Sequence, residues 1–325
     1  MTTAVLTRER IGALGLSAGL LPAVVSAAAF GLSGSLARSL LDLGWSPAAV
    51  VAARVGGAFL ALLLPCLLLL RRIGLPSTRQ SGRMVAYGLI AVALAQLCYF
   101  SSVQYLSIGV ALLLEYLAPV LLIGWHWALS RRRPAPRVFV GAGLALAGLV
   151  LVLDLTGKLN INPVGVAWGL GAAACLCAYF LLSETGGGSA PIHPLLLTTA
   201  STGVGGLAII LLGVTGLLPL TARTGQTLVA GHAVSWLLPV ALLILITAVL
   251  AYLTGIAAIR VLGSSVASFV ALSEVIFAVI FAALLLSQHP SLTQLVGGAL
   301  ILIGIAVVQR GEAVRTDDRR SAQAD

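Results

Sequence analysis

The stretch YLSIGVALLLEYLAPVLLIGWHWALSRRRPAPR (105–137) decides how this chain is read. From Leu106 to Leu129 it carries a single charged residue, Glu115, and then turns abruptly into Arg131, Arg132, Arg133 and Pro134. An apolar run of about 18 residues or more is long enough to cross a bilayer as a helix. Barrel strands would alternate apolar and polar residues over about ten positions, and this stretch does not. It reads as a transmembrane helix closed by a basic loop.

The chain then repeats itself. At an offset of 156 residues stands VLGSSVASFVALSEVIFAVIFAALLLSQHPSLT (261–293), which keeps Leu262, Val266, Ala267 and Pro290 for Leu106, Val110, Ala111 and Pro134. Widened to 89–152 against 245–308, the same offset gives 16 identical pairs in 64, with Gly141/Gly297 and Gly148/Gly304 among them. The two glycines in each copy are seven apart, so they share a helix face on which a second helix can approach closely. Gly165 and Gly169 form a GxxxG of the same kind. The repeat keeps the proline of the loop and loses its arginines, RRRP becoming SQHP. That is the pattern expected if the two copies face opposite sides of the membrane.

Composition agrees. The 325 residues are 59% hydrophobic and 9% charged, with mean hydropathy +1.08. A soluble domain carries roughly 25% charged residues. Apolar runs and breakers give ten spans, near 12–36, 47–70, 84–102, 106–129, 137–154, 164–184, 194–216, 236–258, 263–287 and 292–309. The fold class read from this is an all-α integral membrane protein, ten transmembrane helices as two inverted five-helix repeats. Its parts are a cytoplasmic N-terminus (1–11), a first repeat (12–156), a second repeat (157–309) and a disordered cytoplasmic tail (310–325). The opening MTTAVLTRERIGALG does not have the form of a cleavable leader.

With both termini in the cytoplasm, fifteen of the 19 basic residues fall on cytoplasmic connections, in clusters such as Arg71–Arg72 and Arg131–Arg133. The other side holds Arg38, Lys158 and Arg223, and Arg54 lies within a span. The positive-inside rule therefore gives that orientation, and the Ala/Leu/Gly/Arg-rich composition with a single lysine, Lys158, reads as bacterial, so a bacterial cytoplasmic membrane is expected. The net charge of +9 is topology, and no nucleic-acid partner is expected. The partners expected are lipid, a small-molecule substrate and, in the assembled state, a second copy of the chain as a homo-oligomer. Cys66, Cys98, Cys175 and Cys177 lie in apolar spans and read as packing residues. The histidines show no HExxH or other ligand spacing, so no metal is assigned. No P-loop and no GxSxG is present, so no cofactor and no enzyme activity are expected.

These features together resemble the EamA family of the drug/metabolite transporter superfamily. The likeness rests on the doubled five-span unit, on SPAAVVAAR ending in Arg54, and on the 105–122 segment with its counterpart 261–281. It implies a transporter. The surroundings of Glu115 are most similar to the amino-acid (threonine/homoserine-type) exporter branch. The family's second half usually carries a Glu-Pro pair, where this chain has Glu274–Val275, and a Glu at the end of the span, where it has Ser287–Gln288.

A charge at the bilayer centre costs roughly 2.5–3.5 kcal/mol on insertion scales, so intramembrane charges mark function. Three stand out: Glu115 in the fourth span, Glu274 in the ninth and Arg54 in the second. Glu115 plus 156 is Ala271, three residues from Glu274, so both carboxylates approach the same central space from related helices. Glu115 is read as binding a substrate amino group or taking up a proton. Arg54 is read as its partner, as an anchor for a substrate carboxylate, or as half of a static Arg54–Glu115 pair. Gln96, Tyr99, Tyr179, Tyr252 and Ser273 are further polar candidates, each equally able to tie helices together. Tyr105, Trp125 and Trp127 near span ends read as interfacial anchors. The reading is a secondary transporter that exports a small polar metabolite, an amino acid or derivative, by alternating access. Efflux of drugs or cationic compounds is the alternative within transport, and a non-transporting membrane protein the alternative outside it.

Overall fold

The computed structural model describes residues 2–74, 76–130, 136–152, 162–184 and 192–321. The first half contains α1 (Thr2–Asp42), α2 (Pro47–Ile73) and α3 (Thr78–Ala86). A π-helical segment, Tyr87–Leu94, joins α3 to α4 (Ala95–Tyr105), and α5 (Ile108–Glu115), α6 (Ala118–Ser130) and α7 (Pro136–Val152) follow. The second half contains α8 (Pro163–Glu184), α9 (Pro194–Val214) and a hairpin of β1 (Gln226–Val229) and β2 (His232–Ser235). Then come α10 (Leu237–Ile244), a second π segment (Leu245–Leu250), α11 (Ala251–Ala271), α12 (Ser273–Leu286) and α13 (Leu292–Ser321).

Among the described residues, five helical stretches are long and apolar enough to cross a membrane: Gly19–Asp42, Pro47–Ile73, Thr78–Tyr105, Pro194–Val214 and Leu237–Gly255. Phe139–Val152, Pro163–Ala178, Ser273–Leu286 and Leu292–Val307 are shorter apolar helices. Their outer faces carry exposed side chains such as Leu60, Leu64, Leu207, Leu211 and Leu284, as a surface solvated by lipid requires. Trp125 and Trp127 are also exposed.

Local chemistry sets the helix ends. Ser46 accepts from the Ala49 amide and Pro47 opens α2, where its missing N–H is no loss. Ser77 and Gln80 form a capping box at α3. The expected turn between the third and fourth spans falls at Leu106 and Ser107. The expected break between the eighth and ninth does not occur at 258–263: α11 runs through that segment, and the helix is interrupted at Leu272 instead. Gly263, Ser264 and Ser265 are tolerated there because the backbone bonds of a helix that is already formed extend residue by residue. The polar tail, expected to be disordered, continues α13 as far as Ser321 for the same reason.

Glycine contacts fix how the halves are related. A Cβ on Gly148 would lie 2.5 Å from the Gly297 carbonyl oxygen, and one on Gly304 2.5 Å from that of Gly141. As one number falls by seven the other rises by seven, so α7 and α13 cross antiparallel. They are repeat counterparts, and their contacts are reciprocal. The α2–α9 pair behaves alike, with Gly206 against Gly56 and Gly203 against Phe59. Antiparallel, reciprocal packing of counterpart helices is the geometry of an inverted repeat about a pseudo-two-fold axis.

The hairpin was not visible in the helical periodicity. Its turn, Ala230 (φ 53°) and Gly231 (φ 76°), has both central residues at positive φ, as a two-residue type I′ turn requires. It sits over the end of the bundle where α1 gives way to α2. The Thr227 hydroxyl donates to the Ser39 carbonyl, and the Ala230 amide to the Leu285 carbonyl at 2.9 Å. Trp45 Nε1 donates to the Arg223 carbonyl at 2.8 Å, and its ring meets that of Trp236 at 5.6 Å. Beside it, Arg38 pairs with Asp42 at 2.9 Å and donates to the Val103 carbonyl at 2.8 Å, capping the end of α4.

Candidate functional site

The two repeats meet at Gln96 and Tyr252. Gln96 Nε2 donates to the Tyr252 hydroxyl at 3.4 Å. The two residues stand 156 apart, so each touches its own repeat counterpart and the pseudo-two-fold axis passes between them. Both follow directly on π segments, Tyr87–Leu94 before Gln96 and Leu245–Leu250 before Tyr252. A π turn inserts an extra residue into the ladder and frees a carbonyl, and such turns recur at functional positions.

Arg54 occupies this junction. It is 4% exposed. Its Nη1 donates to Gln96 Oε1 at 3.1 Å, and its Nη2 to the carbonyl of Thr247, within the second π segment, at 2.6 Å. The guanidinium carbon lies 6.0 Å from the Phe30 ring centre and 5.7 Å from that of Phe100. Nε has no hydrogen-bond partner among the described residues. Phe30 in turn meets the Tyr252 ring edge-on at 5.2 Å, so α1, α2, α4 and α11 are joined through one cation.

The glutamates flank a pair of helix breaks. α5 ends at Glu115 and α6 restarts at Ala118; in the other copy α11 ends at Ala271 and α12 starts at Ser273. Residues 116 and 272, one in each break, are repeat counterparts. The cause differs between the copies. Pro119 has no amide hydrogen to offer the Glu115 carbonyl four residues back. In the second copy Val275 stands in the proline's place, and the Ser273 hydroxyl donates to the Val270 carbonyl at 2.6 Å, a side-chain bond that competes with the helical ladder.

Glu274 lies in the first turn of α12, the end of a helix that favours an anion. The Tyr116 hydroxyl donates to its Oε2 at 3.0 Å and lies 3.1 Å from the Ala271 carbonyl. Glu115, half-buried, is the last residue of α5. Among the described residues it makes no hydrogen bond and no salt bridge; Arg38–Asp42 is the one ion pair there. The static Arg54–Glu115 pair is therefore absent, because Arg54 is already drawn to Gln96 and the π-turn carbonyl. The two residues still lie within electrostatic range of each other, and of Glu274 and Tyr99. Tyr99 is 6% exposed and reaches α1 through Gly34, where a Cβ would stand 2.6 Å from its hydroxyl.

The structure thus brings Arg54, Gln96, Tyr99, Glu115, Tyr252, Ser273 and Glu274 to one central region. Tyr179 lies on α8, and its side chain is outside the described residues. Sequence reasoning missed Tyr116, Phe30, Phe100 and Thr247. Tyr116 had a signal, since it adjoins Glu115 in front of Pro119. The others had none, because aromatic and threonine side chains in a span look like packing.

A break in a helix at membrane depth, beside a buried charge and at an inverted-repeat axis, is a transporter arrangement. The model of the EamA-like transporter family matches residues 17–154 and again 163–310. The chain belongs to that family. EamA membership accounts for the doubled unit and speaks for membrane transport rather than catalysis. An uncharacterized transporter of Archaeoglobus fulgidus is 27% identical over 281 residues, 86% of this EamA chain and 93% of its own. The uncharacterized transporter YwfM of Bacillus subtilis is 28% identical over 102 residues, 31% of this chain and 34% of its own. A solved crystal structure shares the EamA chain's fold at TM-score 0.51 and 19% identity, covering 87% of this chain and 98% of that one.

Proposed function

We propose that this EamA-family transporter exports a small polar metabolite, an amino acid or close derivative, from the cytoplasm by alternating access across ten spans. Its termini face the cytoplasm and its membrane is the bacterial cell membrane. Glu115 is the group that takes the substrate's ammonium or, in the return step, a proton. The observation that carries this reading is Glu115 at the end of α5, without a hydrogen bond or ion pair among the described residues and in electrostatic range of Glu274 on the related helix break. A half-buried carboxylate beside an interrupted helix is expensive to keep in a membrane, and a cargo explains its retention. Resemblance to the amino-acid exporter branch supports the substrate class. Efflux of cationic compounds is the second reading, favoured by two carboxylates within electrostatic range of one guanidinium that already makes two hydrogen bonds.

The test is efflux from proteoliposomes loaded with a pooled metabolite mixture, read by mass spectrometry with and without a pH gradient. Loss of one or a few amino acids, dependent on Glu115, is expected. Retention of the entire pool by folded, inserted protein would remove the transport reading.

A further inference from the structure

The last turns of α2, the short helix α3 and the first turns of α9 meet at one corner of the bundle. Cys66, Met84 and Leu196 are buried together there, with Leu70 and Leu197 packed against them. The Ser201 hydroxyl donates to the Met84 carbonyl at 3.4 Å. Further on, a Cβ on Gly88 would lie 2.7 Å from the Ser201 carbonyl oxygen, and one on Gly205 3.2 Å from the Val92 side chain. As one number rises so does the other, so α3 with its π segment runs parallel to α9. Their N-terminal ends therefore open at the same corner. Gly74, at φ 78°, turns the chain out of α2, and the Ser77–Gln80 capping box starts α3 at once.

The corner is cationic and has nothing of its own to neutralise it. Arg71 and Arg72 end α2, and Arg79 and Arg83, four apart, share a face of α3. Arg71, Arg72 and Arg79 are exposed, and Arg83 is half-buried. None of the four side chains makes a hydrogen bond or ion pair among the described residues. No Asp or Glu occurs between Asp42 and Glu115 or between Glu184 and Glu274, so α2, α3 and α9 carry no acidic residue at all. Basic residues elsewhere have acids beside them. Arg38 pairs with Asp42 at 2.9 Å, and Arg319 and Arg320 directly follow Asp317 and Asp318. Just before its two arginines, α2 turns Leu64, Leu67 and Leu68 outward, all exposed. An acyl chain can lie along that face while guanidinium groups reach the phosphate of the same molecule. Guanidinium matches phosphate oxygens two at a time, and basic segments beside a span attract anionic lipid. A soluble anion would use the arginines and leave the leucines unused.

We infer that this corner holds the phosphate headgroup of an anionic phospholipid, at a seam between the repeats, since α2 and α3 belong to the first and α9 to the second. Arg71 stands 17 residues along α2 from Arg54, about 25 Å at the rise of a helix. The lipid site is therefore separate from the cargo site and does not depend on what is transported.

The test titrates full-length protein in detergent with phosphatidylglycerol, with phosphatidylcholine as the neutral lipid and inorganic phosphate as the soluble anion. Native mass spectrometry counts bound lipid, and thermal unfolding follows stabilisation. Phosphatidylglycerol is expected to be held at least roughly tenfold more tightly than phosphatidylcholine and to raise the melting temperature. Inorganic phosphate should do neither. Arg79→Gln combined with Arg83→Gln leaves Arg71 and Arg72 to keep the topology, and should weaken retention roughly fivefold for each arginine removed. Arg319→Gln combined with Arg320→Gln should leave retention unchanged. Equal retention of the two lipids by the wild-type protein would overturn the inference, as would equal retention by the two double variants. Stabilisation by inorganic phosphate as large as that by phosphatidylglycerol would reveal a soluble-anion site and overturn the lipid assignment. None of these outcomes bears on metabolite flux, so the transport reading stands or falls by its own experiment.

Discussion

Two residues of the same type have been given different environments by the same fold. Glu274 enters a helix at its first turn and has the Tyr116 hydroxyl on one oxygen; Glu115 leaves a helix at its last residue and has no such partner among the described residues. Tyr116→Phe should therefore act on Glu274 alone, weakening transport several-fold through a raised KM, whereas Glu115→Gln should remove transport outright; a proteoliposome flux series separates the two. Arg54 is a test of a different kind. Arg54→Lys keeps the charge but loses the planar fork that reaches Gln96 and Thr247 together. We expect it to lower the stability of the purified protein by about 2–4 kcal/mol, seen as an earlier melting transition in detergent. An unchanged melt would mean that the junction contributes no stability. The charges themselves were legible in the sequence, since nothing else in an apolar span is so costly. What Arg54 touches was not, because a backbone carbonyl freed by a π turn leaves no mark in the residue letters.

At the scale of the helix, the break after Glu115 has a cause that one substitution can remove. Pro119→Ala restores an amide hydrogen four residues beyond the Glu115 carbonyl and should let α5 run on into α6. Helical continuity should raise the melting temperature, because proline inside a helix costs about 3 kcal/mol, while the flux falls as the carbonyl beside Glu115 is covered. A variant that melted earlier and still transported would argue against this account. Ser273→Ala in the related break should do less, since only one side-chain bond to Val270 is lost. Pro119 carried a signal for the first of these breaks, although the apolar run 106–129 reads as one unbroken span. The second had no such signal, because Val275 follows Glu274 and a serine is a weak one in a helix. The run from 251 to 271 hid its continuity for a similar reason: Gly263, Ser264 and Ser265 look like a turn in the sequence, yet the backbone is helical through them. The β1–β2 hairpin escaped notice because four-residue strands lie below the length at which alternation can be told from chance.

The molecule as a whole is a pair of antiparallel copies held by glycine contacts. Gly148→Ala would drive a methyl group to 2.5 Å from the Gly297 carbonyl oxygen and to 2.8 Å from the Ile301 nitrogen, neither of which can yield without moving a helix. We expect it to destabilise the protein by about 1–3 kcal/mol. Gly143, on the same helix, has nothing within 4 Å, and Gly143→Ala should be neutral or stabilising by up to about 1 kcal/mol. Equal effects at the two sites, by thermal unfolding, would count against the crossing described. The pairing of these helices was foreseeable from the seven-residue spacing and the repeat. Symmetry of this kind has an energetic corollary. A protein made of two interchangeable halves would rest equally in its two end states if the halves were alike. Every feature present in one half alone then weights the two occupancies. The hairpin is such a feature: its bonds to Ser39 and Leu285 close one face, and the other copy has no hairpin among the described residues. At roughly 1 kcal/mol for each bond, the pair would favour the end state in which both form by more than tenfold over an otherwise equal state in which both are broken, at about tenfold per 1.4 kcal/mol. Lengthening the hairpin or trimming it would therefore tune the resting orientation, as a counterweight does, without touching the cargo site at all.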